Sequence, residues 1–145
     1  MNTQMTRNQQ LVLSFASAWL RLEKRLDSSL GAIRGVSLAE YRLLRALYDA
    51  PSAWASRVDL AHAVGLTPSG VTRALRPLEK LGLIATAKSK RDARLALASL
   101  TPAGLELVDD ASGVVNDKMV QILDRSPKAS ARLDELIELL DDFGR

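Results

Sequence analysis

Between residues 56 and 82 the chain spells two short helices back to back, and this pair limits the fold more than any other feature. Ser56-Arg57-Val58-Asp59 is an N-terminal cap opening a helix that carries Leu60, Ala61 and Val64. Gly65 can take the left-handed position that ends it. Thr67-Pro68 restarts a helix at once, with Thr67 as cap and Pro68 in the first turn. Val71, Ala74, Leu75, Leu78 and Leu81 form its apolar stripe, and Gly82 closes it. Two short helices joined by a tight glycine turn make a helix-turn-helix pattern, which an αα-hairpin in a plain bundle shares. The next residues favour the former. Residues 83–88 and 94–100 read as two strands around the turn Lys90-Arg91-Asp92-Ala93. A helix-turn-helix followed directly by a basic-tipped hairpin is the winged-helix arrangement.

The flanks are helical. Leu11, Phe15, Trp19, Leu22, Leu26 and Leu30 recur at helical spacing over residues 8–30, with Gly31 and Gly35 ending the segment. Ser37-Leu38-Ala39-Glu40 is a capping box for a helix bearing Tyr41, Leu44, Leu47 and Tyr48, which Pro51 stops. Thr101-Pro102 opens a helix with Leu105, Val108, Val115, Met119 and Ile122 near one face. Ser126-Pro127 repeats the cap for a last helix with Leu133, Leu136, Ile137, Leu140 and Phe143. The expected fold is mainly α with a small β-hairpin wing: one domain over residues 1–145, in which 37–100 form the winged-helix lobe and 8–31 with 102–145 a helical dimerisation region. The stripes of residues 11–30 and 133–143 lie outside the compact lobe and need cover, from a second copy or from each other.

Composition removes several classes of function. Without cysteine, thiolate metal sites, iron–sulfur clusters and thiol sensing are closed to this chain, and one histidine cannot build a multi-histidine site. Hence no metal and no cofactor is expected. The apolar stretch near Phe15 is too short for a secretory signal and continues as a helix, and no segment approaches the ~20 apolar residues of a membrane span. The expected location is cytoplasmic. Net charge is only +3, but residues 67–102 carry seven basic and two acidic side chains, whereas residues 103–145 carry five and ten. Concentrated positive charge in the middle of the chain suits a polyanion.

A helix in a major groove presents short or donor side chains to base edges and cations to phosphates. The outward positions of the 67–81 helix are Ser69, Gly70, Thr72, Arg73, Arg76 and Lys80; Gly70 permits close approach, and Ser69, Thr72 and Arg73 lie in the half that enters the groove. The hairpin tip holds Lys88, Lys90, Arg91 and Arg94, and a guanidinium there can enter a narrow minor groove. Asp92 repels phosphate, so its sensible role is to hold Arg94 or Arg91 in a fixed pose. Pro77 removes one backbone bond late in the helix and is expected to kink or shift it. His62 lies off the apolar side of its helix and is expected in solvent or beside phosphate.

With these residues in place the chain resembles the MarR family of bacterial transcription regulators. The resemblance spans essentially the whole sequence. It is most specific in Gly65-Leu66-Thr67-Pro68-Ser69-Gly70-Val71-Thr72-Arg73-Ala74-Leu75, in Leu78-Glu79-Lys80-Leu81-Gly82-Leu83-Ile84, in Asp92-Ala93-Arg94, which matches the family's D-x-R motif, and in the run from Leu97 to Gly104. Pro77, and Ala85 and Ala87 in place of bulkier wing residues, depart from the pattern. The resemblance implies a homodimer built from the first and last two helices, and a pseudo-palindromic double-stranded DNA operator. It also implies a cleft for a small aromatic effector, for which Phe15, Trp19, Tyr41 and Trp54 are candidate lining residues. The expected function is a dimeric, sequence-specific DNA-binding regulator, a repressor released by an effector. The competing reading is a winged-helix protein–protein module whose basic face meets an acidic partner. An enzyme is not expected: there is no nucleophile elbow, no phosphate loop and no cysteine nucleophile.

Overall fold

The computed structural model describes residues 4–92 and 95–145. In order, the chain forms α1 (Arg7–Arg34), α2 (Leu38–Tyr48), β1 (Ala55–Ser56), α3 (Arg57–Val64), α4 (Pro68–Lys80), β2 (Ile84–Lys88), β3 (Ala96–Leu100), α5 (Pro102–Asp124), α6 (Pro127–Ala131) and α7 (Leu133–Phe143). The strands make one antiparallel sheet in the order β1-β3-β2, with Thr86 opposite Ala98 and Ala55 opposite the same residue on the other side.

Four of the caps read from sequence are formed. Ser37 and Glu40 bond reciprocally to each other's backbone N–H. The hydroxyls of Ser56, Thr67 and Thr101 accept from the N–H groups of Asp59, Gly70 and Gly104. Each satisfies a donor that the first helical turn otherwise leaves open, worth about 1 kcal/mol. Gly65 stands at φ +72°, the left-handed stop expected of it.

The core lies between α2, α3, α4, the sheet and the inner halves of α1 and α5. Leu30, Leu44, Val71, Leu78, Val108 and Ala111 are completely enclosed in it. Each buried aliphatic side chain of this size contributes roughly 1.5–3 kcal/mol. Long-range polar links fix the flanking helices: Asp27 accepts from the Leu38 N–H at 2.6 Å, and Arg34 pairs with Asp110 at 2.8 Å.

Several expectations need correction. Gly31 does not end the first helix; it sits inside α1, and Gly35, at φ +69°, is the stop. Leu81 is not part of the buried stripe of α4: it lies past the last helical residue and is 67% exposed. Leu105 points away from the core that Leu107 and Val108 fill. α2 ends at Tyr48, with Asp49 as its cap residue, before Pro51 is reached. Ser126 makes no capping bond, and the last helix is divided at Arg132 into α6 and α7. β1 was not expected at all. Pro77 lies inside α4 without ending it; the Leu81 N–H bonds the Pro77 carbonyl at 3.1 Å.

The outer half of α1 and all of α7 keep their apolar faces uncovered. Phe15 and Phe143 meet with ring centroids 6.4 Å apart, yet Phe15 stays 49% and Phe143 69% exposed. Packing of one stripe on the other within the chain therefore does not bury them. Among the described residues no helix is long and apolar enough to cross a membrane.

Candidate nucleic-acid interface

The turn at Gly65-Leu66 brings α4 out across α3, and the cap at Thr67 fixes where α4 begins. Buried Val71, Leu75 and Leu78 pin its inner side. That leaves Ser69, Arg73, Arg76 and Lys80 exposed along the outer side, with Gly70 and Thr72 half-buried beside them. None of the three cations of this helix has a carboxylate within ion-pair distance among the described residues. The two half-buried residues also have local tasks. A Cβ on Gly70 would stand 3.2 Å from the Thr67 hydroxyl that caps the helix, so the close approach this glycine permits includes the cap itself. The Thr72 hydroxyl donates to the Pro68 carbonyl at 3.1 Å, which leaves its lone pairs and methyl for an outside partner.

The wing is held to this helix by a bond that sequence reading missed. Thr86 Oγ1 on β2 donates to Glu79 Oε1 on α4 at 2.7 Å. The acid of α4 is thereby engaged with β2. Two alternating patterns seven residues apart in different elements give no sequence signal for such a pair.

At the wing tip Lys88, Lys90, Arg91 and Asp92 are all exposed. The Ser89 hydroxyl accepts from the N–H groups of Arg91 and Asp92, at 3.2 and 3.4 Å. Across the turn the Ser89 N–H bonds the Leu95 carbonyl, and the Leu95 N–H bonds the Asp92 carbonyl. Arg94 lies outside the described residues, and with it the expected pairing of Asp92 with that side chain. His62 is exposed on α3, and among the described residues no group of acidic, His or Cys side chains is placed to hold a metal.

The four aromatic candidates are not brought together. Tyr41 and Trp54 line a depression of about 650 Å³ between α2, β1 and α3, together with Arg42, Arg45 and Asp49. Arg45 forms a two-pronged pair with Asp49, at 3.0 and 3.1 Å, and stacks 4.8 Å from the Tyr48 ring centre. The hydrogen bond to Asp49 raises its pKa further above the ordinary arginine value. Tyr41 shares a 2.8 Å hydrogen bond with Ser112 of α5. Phe15 instead lines an apolar hollow of about 250 Å³ with Leu11, Val12 and Phe143. Trp19 belongs to neither.

Helices α2–α4, a three-stranded sheet and a basic β2–β3 tip beside an exposed cationic helix face define a winged helix-turn-helix protein. Residues 34–95 match the model of the MarR family. The uncharacterised HTH-type transcriptional regulator YdgJ of Bacillus subtilis is 30% identical over 109 residues, which cover 75% of this chain and 64% of that protein. The chain thus spans just under two-thirds of that relative's length. Among solved structures, Sco3205, a MarR family transcriptional regulator from Streptomyces coelicolor solved in complex with DNA, is 28% identical with a TM-score of 0.81, covering 97% of this chain and 91% of its own. BpsR of Bordetella bronchiseptica, whose DNA binding is regulated by 6-hydroxynicotinic acid, has the same fold: TM-score 0.77 at 22% identity, over 94% of this chain and 99% of its own. Over residues 34–95 this chain carries the sequence pattern of the MarR family. These relatives are transcriptional regulators, not enzymes.

Proposed function

We propose that this chain is a sequence-specific DNA-binding transcriptional regulator acting as a homodimer, a repressor released by a small-molecule effector. The observation that carries the reading is the outer face of α4, where Arg73, Arg76 and Lys80 stand exposed, with no carboxylate partner among the described residues, beside the cationic wing tip. The DNA complex of the similar Sco3205 supports it. In this reading Ser69, Thr72 and Arg73 reach base edges, while Arg76, Lys80, Lys88, Lys90, Arg91 and Arg94 meet phosphates or the minor groove. Gly70 lets the helix approach closely, and Asp92 orients a neighbouring arginine.

Dimerisation rests on the uncovered apolar faces of α1 and α7. Leu11, Phe15, Trp19, Ile137, Leu140 and Phe143 are more exposed than a lone domain normally leaves such residues. A two-fold pair would present two copies of α4 to half-sites about one helical turn apart, ~34–36 Å. The effector reading has the depression under Tyr41 and Trp54 as its place, and the ligand regulation of the similarly folded BpsR as support. Since Tyr41 is bonded to Ser112 on α5, a ligand there would touch a lobe side chain that is tied to the helix connecting the lobe to the dimer. A ligand preferring a DNA-incompetent arrangement lowers DNA affinity by linkage.

A gel-shift with the gene's own upstream region tests the function. Sequence-selective retardation that weakens steeply with salt is expected. Binding no tighter than micromolar, without preference among sequences, favours the protein–protein module instead.

A further inference from the structure

A second cationic cluster lies away from the recognition helix. Arg21, Lys24 and Arg25 of α1 and Lys118 of α5 surround one depression of about 410 Å³, with Ser28 and Ser29 between them. That volume falls within the roughly 300–1,000 Å³ of small-molecule sites. No acidic side chain lines it, and among the described residues none of the four cations has a carboxylate within ion-pair distance. Asp27 of the same helix is committed to the Leu38 N–H. Arg21 stands three and four residues before Lys24 and Arg25, spacings at which like charges face each other and work against the helix. A helix that keeps such an arrangement gains from an anion that neutralises it.

We propose that this depression binds a small phosphate-rich anion of the diphosphate class. Four positive charges around one depression exceed what a single carboxylate can balance. Two guanidinium groups offer paired donors to phosphate oxygens, and serine hydroxyls add neutral ones. The position separates this site from the other surfaces. Duplex DNA in the proposed reading meets α4 and the wing, whereas this cluster is built from α1 and α5. On a 3.6-residue repeat Arg21, Lys24 and Ser28 fall on the side of α1 turned away from Leu11, Phe15, Trp19 and Leu22, whereas Arg25 and Ser29 flank that stripe. A second copy covering the outer stripe therefore leaves Arg21, Lys24 and Ser28 open, with Arg25 at its edge.

The test is calorimetric titration of inorganic pyrophosphate into the full chain at low ionic strength, with sodium sulfate at matched ionic strength as control. One site per chain is expected, with sulfate binding much more weakly. Arg21→Gln with Arg25→Gln should weaken pyrophosphate binding about tenfold or more, each substitution removing a charge-assisted contact. Lys118→Gln, on the other helix, should weaken it severalfold and answers the question if the double variant does not fold. A parallel titration with ADP distinguishes the sources: equal affinity means that the diphosphate alone is recognised, tighter binding that the nucleoside is read as well. No saturable heat, equal response to sulfate, or full affinity in the variants overturns the proposal. So does competition by duplex DNA, which would make the cluster part of the DNA surface. Duplex binding of the variants should equal that of the original chain, so failure here is distinct from failure of the DNA reading.

Discussion

The Thr101 hydroxyl donates to the Gly82 carbonyl at 2.6 Å, tying the residue that starts α5 to the turn that ends α4. The same oxygen accepts from the Gly104 N–H at 3.1 Å, and the Thr101 N–H donates to the Leu83 carbonyl at 3.1 Å. The recognition helix, the wing and α5 thus meet in one joint. In the dimer reading α5 is the connection between DNA lobe and dimer, so the joint fixes how the lobe is held.

Thr101→Val keeps the shape of the side chain and removes both hydroxyl bonds. Loss of a helix cap together with a second hydrogen bond should destabilise the fold by about 1–2 kcal/mol. Urea denaturation followed by circular dichroism measures it. An unchanged midpoint would show that the joint carries no stability.

Two glycines of α5 should respond in opposite directions to alanine. A Cβ on Gly104 would lie 2.0 Å from the Leu83 carbonyl oxygen, with Leu100 at 3.1 Å, so backbone must move. A Cβ on Gly113 meets nothing within 4 Å. Gly104→Ala is expected to destabilise by about 1–3 kcal/mol, as overpacking does, despite the better helix propensity. Gly113→Ala should stabilise by up to about 1 kcal/mol. Thermal unfolding of the two variants side by side gives the signs, and a stable Gly104→Ala protein contradicts the packing described.

A charge on the uncovered face of α7 probes the dimer. Ile137→Asp replaces an exposed apolar side chain, so a lone chain should lose less than about 0.5 kcal/mol, the usual range for surface changes. A dimer that buries the same face should dissociate. Sedimentation velocity is expected to show a dimer for the original chain and a monomer for the variant. A monomer in both cases would remove the proposed two-fold arrangement.

Substitutions on the DNA face should separate into two behaviours. Arg73→Ala or Thr72→Ala should change the ranking of operator variants, with about 1–3 kcal/mol lost at one base position. Arg94→Ala should weaken all duplexes nearly alike. Dissociation constants over a panel of single-base changes decide this, and identical profiles for all three variants would contradict the assigned roles.

Much of the fold was legible because its signals are local. A cap is a side chain reaching a backbone N–H three residues on, so Ser37, Ser56, Thr67 and Thr101 announce their helices directly. What failed depends on context. Gly31 and Gly35 look alike in sequence, and only the second takes the left-handed conformation. Leu81 and Leu105 fit a periodicity that neighbouring elements do not meet. The two-residue β1 is too short for any alternation to show, and the break at Arg132 comes without proline or glycine. The cationic side of α4 followed from its stripe, whereas the Glu79–Thr86 and Thr101–Gly82 bonds join different elements and needed the three-dimensional arrangement.

The most direct test of the DNA-binding face is the dissociation constant for a duplex from the gene's upstream region, followed by fluorescence anisotropy from about 50 to 200 mM salt. Each phosphate contact contributes about −0.9 to the slope of log affinity against log salt, so the cations of α4 and the wing, doubled in a dimer, predict a loss of at least about a thousandfold. A salt-independent affinity, or no binding to duplex at the lowest salt, would contradict the account.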